Sequence, residues 1–272
     1  MSSEGIRSVC CILLTLCVSC GGGSSGISPA SSPPIPTSSP PPAGPAIASL
    51  PIVDGQPLRV LFVGNSLTQA NDLPMMVTAL AAAVGVQVQA TDVSQGGFSL
   101  EDHWNDMRAP RAIDQGGWHF VVLQQGPSAL LSSRDNLRLW AGQFNQRIRA
   151  VGGRPALYMV WPEGARISEF DNVRDSYRLA AQDIKGLFLP AGDAWRAAWK
   201  REPGLKLYGA DDFHPSVLGT YTAALVIASK ITSRSAIGMP SDLALANGTH
   251  VAISPGEAQI VQAAAAEVVT SE

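Results

Sequence analysis

The chain has 272 residues, of which 46% are hydrophobic and 15% charged, with a net charge of −3. That length allows one or two domains, and the apolar fraction supplies a sizeable core. A weakly negative chain without a basic run excludes a nucleic-acid partner and fits neutral or weakly charged substrates better than polyanions.

All four cysteines, Cys10, Cys11, Cys17 and Cys20, lie in the first twenty residues. Disulfides, thiolate metal sites and a cysteine nucleophile are therefore excluded from everything that follows. Residues 1–20 combine Arg7, a short apolar run from Val9 to Val18, and Ser19-Cys20-Gly21. The run is too short to span a bilayer and has the layout of a signal peptide. Its end, Leu16-Cys17-Val18-Ser19-Cys20, resembles a bacterial lipoprotein lipobox, departing from it at Cys17, where leucine is usual. The resemblance implies lipidation at Cys20 and a membrane partner through a lipid anchor in the bacterial cell envelope, at the periplasm or outer membrane. Ordinary secretion is the alternative. Residues 21–50 are rich in Pro, Ser and Gly and carry no charge, a composition that cannot bury enough to order itself and reads as a tether.

A single domain is expected over 51–272. The apolar run 58–63 reads as a buried strand, and a helix is expected near 72–84, with Pro74 in its first turn. Residues 86–93 alternate as a strand does, followed by the loop Ser94–Leu100 and a short helix. A third strand, 119–124, leads into Gln125-Gly126-Pro127-Ser128. Leu137, Trp140, Phe144, Ile148 and Val151 form a helical stripe over 134–150. A strand at 155–161, a helix at 169–184, a short strand at 187–190 and a helical segment at 193–199 follow. The last helices are expected at 216–233 and 255–268. Such alternation implies a parallel sheet with helices on both faces, and a site beyond the carboxyl ends of its strands. The loops after Val63, Val93 and Leu123 share that edge.

Gly64-Asn65-Ser66-Leu67-Thr68 puts a serine in the turn between the first strand and a helix, where free backbone N–H groups can meet a developing negative charge. Near the other end, Asp211-Asp212-Phe213-His214-Pro215 offers an imidazole that could accept the serine's proton. An acid three residues earlier can reach its second ring nitrogen, a spacing that selects Asp211 over Asp212. Taken singly, each stretch also reads as a helix cap or a surface turn.

Together these blocks resemble the SGNH/GDSL hydrolase family over residues 58–232. The resemblance implies a three-layer α/β/α sandwich around a central parallel sheet of flavodoxin-like type. It also implies Ser66 as nucleophile, His214 as base and Asp211 as its partner. Asn65 stands where the family has aspartate. The family's second block supplies a glycine N–H to the oxyanion hole, and Gly97 matches it better than Gly96. The third block departs: Gly126-Pro127-Ser128-Ala129 lacks the family's asparagine. Gln125 or Gln124 could offer an amide instead, or Ser128 a hydroxyl. The implied activity is that of a serine esterase or deacetylase on small-molecule, glycan or lipid esters, needing no metal or organic cofactor. A non-catalytic envelope lipoprotein that binds glycan or protein is the other reading, and acyl transfer to a sugar a third.

Of the remaining candidates, His103 lacks a second metal ligand at helical spacing and reads as a loop residue at the rim of the site. His119 reads as structural, and His250 as part of a polar turn beside Asn247-Gly248-Thr249. Trp104, Trp161, Trp195 and Trp199 could line a cleft or fill the core.

Overall fold

The computed structural model describes residues 49–53 and 55–271. The expected signal segment 1–20, with Cys20, and all of the tether but Ser49 and Leu50 lie outside them. In chain order the elements are β1 (Leu58–Val63), α1 (Ser66–Gln69), α2 (Leu73–Ala83), β2 (Val88–Asp92), α3 (Leu100–Asp106), α4 (Arg108–Asp114), β3 (Phe120–Leu123), α5 (Leu131–Ala150) and β4 (Arg154–Tyr158). Then come α6 (Phe170–Asp183), β5 (Leu187–Leu189), α7 (Ala191–Arg201), α8 (Val217–Thr232), β6 (Asp242–Ala244), β7 (His250–Ala252) and α9 (Pro255–Thr270).

Five strands form a parallel sheet in the order β2-β1-β3-β4-β5. The central strands are buried nearly throughout, as continuous apolar runs such as Val60-Leu61-Phe62-Val63 and Phe120-Val121-Val122-Leu123 require. The edge strand β2 buries only Val88 fully, which explains its alternating sequence. Helices α2, α7, α8 and α9 pack together in one layer, and α3, α4, α5 and α6 in the other. This is the expected three-layer α/β/α sandwich. Chain direction reverses across the sheet between β1 and β3, so the crevice at their carboxyl ends is the topological switch point.

Local chemistry sets the element boundaries. Ser99 and Asp102 form a reciprocal capping box that starts α3. Ser216 and Ser254 cap α8 and α9. The α5 stripe buries Leu137, Ala141, Phe144 and Ile148, while Trp140 leans on Trp104 from the layer's outer side. Two features went unexpected. Met107, at φ +68, turns the chain from α3 into a second short helix, α4. An antiparallel hairpin joins β6 to β7 around Asn247-Gly248.

Trp161 and Trp195 are fully buried and stacked, with ring centroids 3.6 Å apart. Trp104 and Trp199 pack half-buried against the core. All four tryptophans are thus core residues.

Candidate active site

At the carboxyl end of β1 the chain turns through Gly64 and Asn65 into α1, whose first residue is Ser66. A Cβ on Gly64 would stand 2.2 Å from the Thr68 hydroxyl oxygen and 2.6 Å from Gln124 Oε1, so only glycine fits. Asn65 Oδ1 accepts from the Leu67 N–H at 3.1 Å and from Gln124 Nε2 at 3.0 Å. Asn65 Nδ2 donates to the Phe98 carbonyl at 3.1 Å, a bond that the family's aspartate could not make. Gln124 completes the clamp: its Oε1 accepts from the Asn65 N–H at 2.9 Å and from the Thr68 hydroxyl at 2.7 Å.

The loop after β2 is stitched to the same turn. Gln95 N–H donates to the Gly64 carbonyl at 2.9 Å, and Phe98 N–H to Gln95 O at 3.1 Å. The turn so closed needs a positive φ at its third position, which Gly97 supplies at +79. The N–H groups of Ser66 and Gly97 donate to no acceptor among the described residues.

His214 comes to Ser66 from 148 residues away. Its Nε2 lies 2.8 Å from Ser66 Oγ and its Nδ1 2.6 Å from Asp211 Oδ2. Asp211 Oδ1 meanwhile accepts from the Phe213 and His214 N–H groups at 3.1 and 2.9 Å. The hydrogen bond from the imidazole, then those from the two backbone groups, hold the Asp211 carboxyl down at about 2. An ionised Asp211 takes the proton on Nδ1, which leaves the Nε2 lone pair facing the serine hydroxyl. Asp212 does not reach the ring. It sits at φ +53 and gives its carbonyl to the Gly164 N–H at 2.8 Å.

Three contacts hold the base loop in place. Trp161 Nε1 donates to Phe213 O at 3.1 Å, and Gly209 N–H to His214 O at 2.7 Å. Asn71, six residues from the first glycine of the serine turn or fewer, spans the two loops. Its amide donates to Pro215 O at 3.0 Å and to the Thr220 hydroxyl at 2.8 Å. The sequence reading missed Asn71; its pairing with residues 144 and 149 positions later leaves no local signal.

The donors offered for the third block separate on a count of hydrogens. Gln124 Nε2 spends both of its hydrogens, on Asn65 Oδ1 and on the Gln125 carbonyl. The Ser128 hydroxyl donates to Gly126 O at 3.1 Å. Gln125 Nε2 donates one hydrogen to Ser128 Oγ at 2.9 Å and retains the second. Of the three side chains only Gln125 therefore has a donor left, and Ser128 and Gln124 are corrected to supports.

His103 is also corrected. It is a fully buried residue of α3, and its Nε2 meets the Gly64 carbonyl at 2.7 Å, while no partner reaches Nδ1. Burial, the largest influence, pushes its pKa down. His119 takes the Arg59 N–H on Nδ1 at 3.0 Å, a bond within the sheet. His250 pairs with Asp242 across the hairpin. Among the described residues no three His, Asp or Glu side chains gather as a metal-holding group.

No protein-family model matches the sequence, and no curated protein does. Solved structures do. A candidate SGNH hydrolase from Slackia heliotrinireducens is 27% identical, with 65% of this chain and 100% of that chain aligned at a TM-score of 0.55. A DUF4886 family protein from Bacteroides uniformis aligns over 79% of this chain and 95% of its own, at 19% identity and a TM-score of 0.68. A lipase/acylhydrolase from Enterococcus faecalis aligns over 65% and 96%, at 16% identity and a TM-score of 0.54.

Proposed function

From the SGNH/GDSL hydrolase relationship of this chain, we propose that it is a serine esterase or deacetylase working through an acyl-Ser66 intermediate. The observation that carries the reading is the continuous hydrogen-bonded line Asp211–His214–Ser66, at 2.6 and 2.8 Å. Ser66 Oγ attacks the ester carbonyl carbon as its proton passes to His214 Nε2, and Asp211 stabilises the resulting imidazolium. The oxyanion is met by the N–H groups of Ser66 and Gly97 and by the unspent hydrogen of Gln125. Each such donor contributes about 10²–10³ in rate. Collapse of the tetrahedral intermediate breaks the carbon–oxygen bond, and His214 returns its proton to the departing alcohol. Water then repeats the sequence on the acyl-serine and frees the acid.

The Asp211 and His214 side chains are 53% and 39% exposed, so the site lies open. An open site supports esters whose alcohol half is bulky, such as acetylated glycans, ahead of lipid esters. Cys20 is proposed as the lipid anchor that would place this chemistry in the cell envelope.

Hydrolysis of p-nitrophenyl acetate by the chain from Gly21 onward, against its Ser66→Ala variant, tests the proposal. A loss of at least about 10³-fold in kcat is expected; equal rates remove the acyl-enzyme. The sparse third block, with a single side-chain hydrogen unspent, favours as second reading a non-catalytic envelope lipoprotein that binds glycan or protein. A fluorophosphonate probe separates the two, since only an activated serine is labelled.

A further inference from the structure

The sheet edge opposite Ser66 has a different character. Two adjoining concavities of about 290 and 410 Å³ share Ile52, Ile231 and Ser233 and are floored by the first residues of the strands. Four cations stand on their walls: Arg149, Arg154, Lys185 and Arg234. Arg149 donates to the carbonyls of Ile184 and Lys185, and Arg154 to that of Leu50 while lying 5.0 Å over the Phe120 ring. Carbonyl partners leave both charges uncompensated. Lys185 and Arg234 are exposed, and no carboxylate of the described residues pairs with any of the four. The neighbouring acids Asp114 and Asp183 are already held by Arg147 and Arg138. Beside this cluster, Ile52 and Val53 are 48% and 53% exposed.

Cations at helix C-termini also complement the helix dipoles. That accounts for Arg149 at the end of α6 and leaves Arg234 and the two bare aliphatic side chains without a reason. Leu50 is tied to this edge through the Gly152 carbonyl at 2.9 Å, so the 49 preceding residues join the domain here.

We propose that this edge docks on an anionic phospholipid surface. The four cations face headgroup phosphates, and Ile52 and Val53 enter the interface. Two features favour that occupant: positive charge concentrated on one face of a net-negative chain, and arrival there of the segment that ends in the expected anchor. A domain seated this way turns Ser66 and His214 away from the bilayer.

The chain from Gly21 lacks both the signal segment and Cys20, and its residues 21–48 carry no charge. Any electrostatic binding it shows therefore comes from the domain. We expect it to sediment with vesicles containing phosphatidylglycerol at low salt and not with pure phosphatidylcholine. The double variant K185E/R234E should partition about thirtyfold more weakly, from a five- to sixfold effect per cation, with its melting temperature unchanged. Ile52→Asp should weaken binding without altering its salt dependence. Failure of the unaltered chain to bind, or equal binding by the double variant, overturns the proposal. Competition by inorganic phosphate at matched ionic strength overturns it too, because a soluble phosphate site would then be the occupant.

Discussion

Asp211 gives one carboxylate oxygen to its own loop and the other to the imidazole, so a single side chain both shapes the turn and orients the base. Held at about 2, it stays ionised across any working pH. Asp211→Asn should therefore lower kcat by about 10²–10⁴ with little change in KM, through loss of the tautomer that faces Ser66, as steady-state kinetics would show. His103 carries a separate consequence. Its folded pKa lies below the ordinary 6.5, so below that value the unfolded chain takes up a proton that the folded one refuses. Stability contributed by the neutral ring is full above about pH 6.5 and is lost as pH falls. Melting temperature should decline from about pH 7 to about pH 5. His103→Gln keeps a donor for Gly64 and should flatten that decline in part, since burial also lowers His119. The Asp211–His214 pairing was legible because its spacing is local. His103 was misread as a rim residue, although Ser99 and Asp102 mark a helix start and the i, i+3 step from buried Leu100 puts His103 on the inner face. The spent hydrogens of Gln124 and Ser128 were not legible, because their acceptors are fixed only by the fold.

Among the elements, the segment between α1 and α2 has the most to do with alignment. Asn71 and Asp72 both adopt left-handed backbone, at φ +52 and +57, and the Asn71 amide reaches across to Pro215 and α8. Such strain persists where surrounding contacts over-determine it. Asn71→Ala should leave the strands intact while releasing the base loop from the serine turn. A fall in kcat of about tenfold or more with KM nearly constant is expected, at a stability cost of about 1–2 kcal/mol by denaturant unfolding. The strands and long helices were readable from periodicity, because the sheet is buried on both sides and each helix shows one face to it. Helix α4 was missed because Pro110 sits inside it and Met107 breaks its start. The β6–β7 hairpin was missed despite Asn247-Gly248 between the alternating pairs Leu243/Leu245 and Val251/Ile253, all buried; the Asn-Gly signal was there to be used.

At the scale of the whole molecule, the sheet separates an open catalytic edge from a basic edge where the chain enters. Leu50, counted with the tether on composition, is bonded to Gly152 O and accepts from Arg154. Composition could not show this, since the attachment uses backbone groups alone. A chain beginning at Gln56 should therefore melt below one beginning at Gly21, by about 1–3 kcal/mol for the polar groups left bare, whereas removal of residues 21–48 should leave the melt unchanged. The stacked pair Trp161 and Trp195 joins the end of β4 to α7, and Trp161 holds the Phe213 carbonyl next to His214. Two indoles in face-to-face contact couple their transitions, so a near-ultraviolet dichroic signal from this pair would follow displacement of the neighbouring loop optically, with no chromogenic ester in the cuvette.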